Sequence, residues 1–349
     1  MINPSLARRI GRVVFAAAMM SAAVSAAQAA EVNVYSYRQP QLVAPLFEKF
    51  TAETGIKVNT IFASSGLIER IAAEGRNSPA DVLLTVDIGR LAQAKEVGIT
   101  QPVASDTLNG NVPAAYRGPD GNWFALTLRA RVIYASRERV KQDAITYEQL
   151  TDPKWRGKIC TRSGQHEYSL GLIASVIAHK GEAAAEEWLQ GVKTNLAHKP
   201  SGNDRSQVKS VFSGECDIAL GNTYYMGLME TNEKEPEQQK WAASVKVLFP
   251  NAEDRGTHVN VSGVSMAKYA PHPQEALKLM EFLAGDEAQR IYAEVNHEYP
   301  VKPGVAPSAR VQSWGPLTAD QIPLSEVAKY RAKASELVDK VGFDDGPSS

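Results

Sequence analysis

Residues 216–225 read Cys-Asp-Ile-Ala-Leu-Gly-Asn-Thr-Tyr-Tyr. An apolar run typical of a buried strand stops at Gly221-Asn222, and Thr223, a residue type common at helix N-termini, then opens a segment with apolar residues at helical spacing. The stretch predicts a strand, a loop and a helix in succession. Ligands of open α/β sheets usually bind at such corners. Tyr224 and Tyr225 are therefore candidate binding residues, although paired aromatic rings also occur simply as core or surface packing.

Strands and helices alternate upstream of this corner. The predicted strands cover 32–36, 56–63 and 80–84, and the predicted helices cover 41–54, 67–74 and 88–97. Asp87 is expected to cap the last of these helices. Such alternation is typical of an α/β protein with a mostly parallel sheet and helices on both of its faces.

A longer strand pattern, 123–136, carries Arg129 and Arg131 near its middle. A strand of this length is expected to cross between two domains, with both arginines on one face because residues two apart point the same way. The remaining predicted strands cover 159–161, 245–249 and 259–266, and the remaining helices cover 169–179, 183–196, 204–212, 273–283, 288–295 and 324–341. We expect the strand at 245–249 to return toward the first domain. Tyr168 is another phenol at a strand-loop-helix corner.

The N-terminal segment has the pattern of a secretory signal peptide. Three arginines precede an apolar stretch that ends near Ala27-Gln28-Ala29, a sequence typical of a cleavage site. We expect residues 1–29 to be removed on export to the periplasm; a membrane anchor is the weaker alternative because the apolar stretch is short. About 320 residues remain, which suits two domains. With 44% apolar and 22% charged residues and a formal charge of -1, the chain resembles a globular protein that does not bind nucleic acid.

Cys160 and Cys216 are the two cysteines of the chain. An exported protein enters a compartment that permits disulfides. Two buried thiols are equally compatible with the sequence, because only the distance between the two residues decides whether they bond. The pairing therefore stays open at the level of sequence.

The sequence contains none of the common catalytic signatures. The nucleophile elbow, the phosphate-binding loop, the zinc-protease helix and the dinucleotide-binding glycine motif are all missing. His166 and His297 each lack the second histidine that a zinc hydrolase needs, so we expect both to form hydrogen bonds in loops. We predict a binding protein and not an enzyme; a hydrolase that uses Ser65 or Ser163 is the weaker alternative.

Phenols recur on the predicted loops, at Tyr37, Tyr168, Tyr224 and Tyr225. A hard trivalent cation prefers anionic oxygen, and its charge removes the proton of a phenol whose pKa is ordinarily near 10. Phenolate is a known ligand of ferric iron. Three phenolates neutralise Fe(III) but fill only half of an octahedron, so an anion supported by a guanidinium is expected to complete the coordination.

Five segments together carry a resemblance to a known family. They are 34–40 (VYSYRQP), 78–87 (SPADVLLTVD), 126–134 (LTLRARVIY), 221–225 (GNTYY) and 296–300 (NHEYP). In this order they resemble the periplasmic ferric-ion-binding proteins of the FbpA/FutA type, which are the substrate-binding components of iron ABC importers. The resemblance covers essentially the whole mature chain. It implies a type II periplasmic-binding-protein fold, in which two α/β lobes joined by crossing strands close on one Fe(III) in the cleft.

The resemblance also implies which residues form the site. The family's tyrosine ligands fall on Tyr168, Tyr224 and Tyr225, and its anion-binding arginine falls on Arg129, with Arg38 beside it. Many members carry a histidine or a further tyrosine directly after the first-loop arginine, where this chain has Gln39-Pro40. The first lobe is therefore expected to give no protein ligand, and a synergistic anion, carbonate first of all, is expected to finish the coordination. Tyr37 is the alternative ligand, although a tyrosine at a strand end more often serves packing.

The predicted lobes comprise 30–126 with 252–303 at the N-terminal side, and 127–251 with 304–349 at the C-terminal side. We expect a monomeric periplasmic receptor that delivers Fe(III) to an inner-membrane ABC permease. The alternative within the binding class is a metal-independent receptor for an anion such as sulfate or a phosphonate. Such a receptor would use Arg38, Arg129 and backbone donors at helix N-termini.

Overall fold

The computed structural model of the protein describes residues 30–347, and the predicted signal peptide lies outside this part. Its strands are β1 (Glu31–Ser36), β2 (Lys57–Phe62), β3 (Val82–Thr85), β4 (Thr100–Gln101), β5 (Phe124–Ser136), β6 (Ile159–Cys160), β7 (Ile218–Asn222), β8 (Val245–Leu248), β9 (Val259–Ala267) and β10 (Tyr299–Pro300).

The helices of the described part follow the predicted pattern closely in the first half of the chain. They are α1 (Pro40–Thr54), α2 (Leu67–Glu74), α3 (Ile88–Glu96), α4 (Asp106–Asn111), α5 (Glu167–Lys180), α6 (Glu182–Thr194), α7 (Asp204–Ser213), α8 (Tyr224–Glu230), α9 (Glu237–Ala243), α10 (Pro273–Leu283), α11 (Asp286–Asn296), α12 (Ala309–Gln312), α13 (Leu324–Lys329) and α14 (Arg331–Val341). None of these helices combines the length and the apolarity needed to cross a membrane.

The first half of the molecule is the part built around β1, β2 and β3. Its sheet begins with these three parallel strands, in the order β2-β1-β3. β3 is buried along its whole length, as its continuous apolar sequence predicts. β9 then pairs antiparallel with β3, and β5 pairs antiparallel with β9. Helices α1, α10 and α11 supply buried apolar residues to the same core, among them Phe50, Leu279 and Tyr292.

β5 is shared between two parts of the sheet. All 13 of its residues are buried. Its first half pairs with β9, and its second half pairs antiparallel with β7 and β8. The long strand predicted at 123–136 is thus confirmed, and it places Arg129 and Arg131 at the junction of the two parts.

A second core lies around α5. This helix packs against α6, α13 and α14, and its residues from Tyr168 to Ile177 are all buried. Partners in this core include Trp188, Leu337 and Phe343. Burial of each large apolar side chain contributes about 1.5–3 kcal/mol, so α5 is fixed firmly within the second half of the molecule.

Three expectations about the fold are wrong. The sheet is mixed, because β9 and β5 run antiparallel to their neighbours. The strand predicted to return to the first half, now β8, pairs instead with the second half of β5, and β9 is the strand that returns. The helix predicted at 324–341 is interrupted at Tyr330 and forms α13 and α14. Local periodicity does not determine the first two features, since they depend on which distant strands pair.

A disulfide joins Cys160 to Cys216, whose Cα atoms are 5.9 Å apart. Cys160 ends β6, and Cys216 lies just before β7, its parallel neighbour. This contact decides the question that the sequence left open. The bond links the two strands that lead to the corners carrying Tyr168 and Tyr224.

Replacing both cysteines by serine is expected to lower the free energy of unfolding of the second half by about 4 kcal/mol, since the bridge closes a loop of 56 residues in the unfolded chain. Urea unfolding of the wild type with and without dithiothreitol, beside the double serine variant, measures this. The unfolding midpoint of the variant should match that of the reduced wild type and should not change when dithiothreitol is added. Equal midpoints for oxidised and reduced wild type would contradict the prediction.

Candidate metal centre

Three phenols meet where the second half of the molecule faces the first. Tyr168 lies in the first turn of α5, and Tyr224 and Tyr225 begin α8. The hydroxyl oxygens of Tyr168 and Tyr224 are 3.3 Å apart. The rings of Tyr224 and Tyr225 stack with their centroids 4.2 Å apart. The structure therefore brings together the three tyrosines that the resemblance implied as ligands.

The corner before Tyr224 is held in place by contacts with β5. β7 continues to Asn222, two residues further than the sequence indicated, and the Tyr134 hydroxyl donates to the Asn222 carbonyl. A side chain at Gly221 would collide with Tyr134, since a Cβ there would lie 2.0 Å from the ring. The glycine is thus required by a close approach between two strands.

Thr223 does not cap α8 through its side chain, and this expectation is wrong. Its backbone is helical, and its hydroxyl accepts a hydrogen bond from the Ala130 amide at 3.2 Å. The Thr223 amide in turn donates to the Ala130 carbonyl at 3.0 Å. The hydroxyl is used to attach the corner to β5, so α8 starts directly from the strand.

His166 holds the start of α5. Its Nδ1 accepts from the Tyr168 amide at 3.2 Å, and its ring packs edge-on against that of Tyr168. Burial and the nearby Arg162 lower the pKa of His166 to about 3. The residue is therefore a neutral hydrogen-bond acceptor at neutral pH, in line with its predicted loop role. Asp87 likewise caps α3 as predicted, accepting from the Arg90 amide at 3.2 Å.

The two arginines predicted to bind an anion share one buried carboxylate. Arg38 donates to both oxygens of Glu298, at 2.7 and 3.0 Å, and also to Ser262. Arg129 donates to the same Ser262 hydroxyl at 2.8 Å and lies 3.9 Å from Glu298. Thr127 donates a further hydrogen bond to Glu298. Two guanidinium groups around one carboxylate leave an excess of positive charge beside the phenols.

Glu298 lies within the NHEYP segment of the resemblance. No pattern in the sequence shows that a glutamate is buried between two arginines, so the sequence alone does not mark it as a site residue. Burial acts to raise its pKa, and Arg38 and Arg129 outweigh that effect and lower the pKa of Glu298 below its usual value. Glu298 reciprocally raises the pKa of Arg38, against the effect of burial. Glu298 and the two arginines around it therefore form a network of charged side chains.

The environment of the phenols favours their protonated form. Burial raises the pKa of Tyr168 to about 12, with Arg129 opposing the shift. Burial also raises the pKa of Tyr224 well above its usual value, and Tyr168 adds to that shift. The guanidinium carbon of Arg129 lies 5.5 Å from the centre of the Tyr168 ring. Ionisation of these phenols at neutral pH thus needs a cation more strongly charged than the arginines alone provide.

Tyr37 is not brought to the other three phenols. Its hydroxyl accepts from the Ile68 amide at 3.0 Å, at the start of α2, and the Arg90 guanidinium lies 4.1 Å from its ring centre. Gln39 bonds to Gln41 at the surface, and Pro40 begins α1. Of the first loop, only Arg38 reaches the site.

Several buried donors beside the phenols lack a partner among residues 30–347. They are Nε of Arg38, Nε of Arg129 and Nδ2 of Asn222. Buried polar groups without a hydrogen bond are rare, so each is a donor with capacity for an acceptor. The described residues contain no group of three or more His, Cys, Asp or Glu side chains able to hold a metal ion. The arrangement offers phenol oxygens to a cation and N–H groups to an anion.

Ion pairs connect α3 with the second half of the molecule. Arg90 pairs with Glu167 at 2.9 Å, and Arg331 reaches Asp87 at 3.0 Å. Arg331 passes over Gly89, where an added Cβ would lie 2.4 Å from its guanidinium. These contacts hold the two halves together next to Tyr168.

Two α/β halves that share a long strand, with a polar buried cluster between them, define a two-lobed ligand-binding protein of the type II periplasmic-binding-protein fold. The chain belongs to the family of bacterial extracellular solute-binding proteins, whose model matches residues 35–290. The predicted fold class is thereby confirmed. The exact lobe boundaries stay a prediction.

Several of the similar proteins are named for iron. The chain is 47% identical over 315 residues to iron uptake protein A1 of Synechocystis, covering 90% of this chain and 87% of that relative. A solved Bordetella ferric binding protein is 50% identical with a TM-score of 0.85, covering 90% of this chain and 99% of its own. A Trichodesmium protein (IdiA, FutA) solved with iron and citrate ligands is 44% identical with a TM-score of 0.87, covering 90% and 99%.

Replacing Glu298 by Gln is expected to lower the free energy of unfolding by about 3 kcal/mol at pH 7, because two buried guanidinium groups lose their carboxylate. The pKa of Glu298 is lowered in the folded protein, so its stabilisation is present above the unfolded value and is lost as the pH falls through the folded one. The difference from wild type should therefore shrink below about pH 4. Urea unfolding at several pH values measures this.

Glu253→Gln, at an exposed position, is the matched control and should change stability by less than about 0.5 kcal/mol. A Glu298→Gln variant as stable as this control would show that the carboxylate does not hold the arginines.

Proposed function

We propose that the protein is a periplasmic receptor that binds Fe(III) through the phenolate oxygens of Tyr168, Tyr224 and Tyr225. The observation that carries the proposal is the 3.3 Å separation of the Tyr168 and Tyr224 hydroxyls, with Tyr225 stacked on Tyr224. Two phenols at this distance can share one cation. The names of the similar proteins, which include iron uptake and ferric binding proteins, support iron as the ligand.

The chemistry of the site favours a cation of high charge. Burial holds the pKa of Tyr168 near 12, so binding must displace protons, and the gain from coordination rises with the charge of the metal. Three phenolates balance the formal charge of Fe(III). Binding therefore releases protons, and acid should release the iron by returning them.

A small anion completes the coordination in this proposal. Three phenolates fill half of an octahedron, and Tyr37 is engaged with α2 instead of the cluster. Arg129 and Arg38 offer the unpartnered N–H groups described above, and a guanidinium fork suits a planar oxyanion. We propose carbonate as this anion. The Trichodesmium relative was solved in complex with iron and citrate ligands, which supports an anion in addition to the metal.

The receptor would deliver its iron to an inner-membrane ABC permease, as a monomer. The family of extracellular solute-binding proteins supports this role. A receptor for an anion alone would use the same arginines without metal, and the visible spectrum separates the two functions. Ferric salt should produce a phenolate-to-iron charge-transfer band with one iron per chain. A colourless protein that binds sulfate equally well with and without iron would support the anion receptor instead.

Tyr224→Phe and Tyr225→Phe are each expected to weaken Fe(III) binding at least 100-fold more than Tyr37→Phe, since each removes a charged oxygen from the cation. Competition with a chelator of known affinity, followed at the charge-transfer band, measures the three variants. Tyr37→Phe is the control, because its hydroxyl bonds to the Ile68 amide. Equal losses in all three variants would place Tyr37 among the ligands and contradict the assignment.

Arg129→Lys is expected to release iron faster and to depend less on bicarbonate, because lysine keeps the charge but loses the forked donor. The measurement is iron retention by absorbance, with and without bicarbonate, from pH 7 downward. Arg137→Lys, an exposed position just after β5, is the matched control. If bicarbonate depletion changes neither the spectrum nor the release rate of the wild type, the anion is not a ligand.

A further inference from the structure

A second buried carboxylate, that of Asp204, contacts the segments that lead to the phenols. Asp204 is the first residue of α7 and is fully buried. One of its oxygens accepts from Arg131 at 2.9 Å and from the Asn222 amide at 2.8 Å. The other oxygen accepts from Arg162 at 3.0 Å. A single side chain thus receives donors from three separate segments.

Each of these segments carries part of the proposed iron site. Arg162 lies in the loop that leads to Tyr168, and its guanidinium carbon is 5.2 Å from the centre of that ring. Asn222 is the last residue of β7, two positions before Tyr224. Arg131 lies on β5, two positions after Arg129. Asp204 therefore connects both tyrosine corners to the strand that carries the proposed anion-binding arginine.

The next residue of α7 reaches the third phenol. The guanidinium carbon of Arg205 lies 5.0 Å from the centre of the Tyr225 ring, and Tyr225 stacks on Tyr224. The Asn203 side chain caps α7 by accepting from the Arg205 and Ser206 amides. The cap therefore holds the start of α7 in place, and with it Arg205 against the ring of Tyr225.

We propose that Asp204 is a positioning residue for iron ligation, an inference that rests on the proposed function. Its carboxylate holds the corners of Tyr168 and Tyr224 at their 3.3 Å separation before iron arrives, so that binding does not have to order them. A fully buried carboxylate needs several donors for stability alone, so the origin of the donors carries the argument, and not their number. Here the donors come from each segment that bears a proposed ligand, and two guanidinium groups leave excess positive charge next to the ionising phenols.

Asp204→Asn tests this directly. The amide keeps the shape but offers one acceptor oxygen, and its NH₂ group then faces either a guanidinium or the Asn222 amide, which are donors as well. One corner loses its attachment. We expect iron to pass to a competing chelator about 10- to 100-fold faster, the range typical when a residue that orients a metal ligand is changed. The charge-transfer band should shift in wavelength or lose intensity.

Asp81→Asn is the matched control. Asp81 is also fully buried and accepts from the Asn33 amide and from His272, before the amino end of β3. It should lose stability as a buried carboxylate does, while leaving the iron band and the release rate as in wild type. A general loss of stability would move both variants alike, so the spectrum separates positioning from folding.

Arg162→Gln is the second variant, in case Asp204→Asn folds poorly, because it leaves Asp204 paired with Arg131. Its band should shift, and its iron should leave several-fold faster. Suppose the wild type shows the band, and the band and release rate of both variants match those of Asp81→Asn. That result overturns the positioning role of Asp204 and leaves the proposed function standing. A wild type that takes up Fe(III) without any phenolate band overturns the proposed function and this inference together.

Discussion

Ionisation of buried phenols is the constraint on which the proposed site depends. Burial raises the pKa of Tyr168 and Tyr224, so phenolate forms there only when nearby positive charge compensates. The protein supplies part of that charge through four arginines, which share two carboxylates: Arg38 and Arg129 surround Glu298, and Arg131 and Arg162 surround Asp204. An arriving trivalent cation supplies the rest. The same burial that opposes ionisation therefore favours a highly charged metal over a weakly charged one.

β5 makes this arrangement possible. It is buried along its length and pairs with strands of both halves, so two arginines on one strand reach two separate carboxylates. Glu298 comes from the segment before β10, and Asp204 begins α7. Ala130, between the two arginines, binds Thr223 and attaches the Tyr224 corner to the same strand. The same strand therefore positions both the charged groups and the Tyr224 corner.

Part of this could be predicted from the sequence because it depends on local pattern. The strand-loop-helix corners of Tyr168 and Tyr224 and the long strand with Arg129 follow from short-range periodicity. The side-chain cap expected from Thr223 does not form because the Ala130 amide of β5 donates to its hydroxyl. Local pattern does not mark Asp204 or Glu298 as site residues, because a carboxylate in a polar segment looks exposed until the fold places arginines from distant segments around it. The antiparallel pairing of β9 cannot be predicted from the sequence for the same reason, since the order of strands in a sheet depends on contacts between residues remote in sequence.

A crystal structure of the iron-loaded protein, with anomalous diffraction recorded at the iron absorption edge, tests the central claim most directly. The account predicts one anomalous peak per chain, bonded to the hydroxyl oxygens of Tyr168, Tyr224 and Tyr225, with a small anion on the remaining positions facing Arg129. A peak bonded to Tyr37 or to carboxylates, and away from the paired tyrosines, would contradict it.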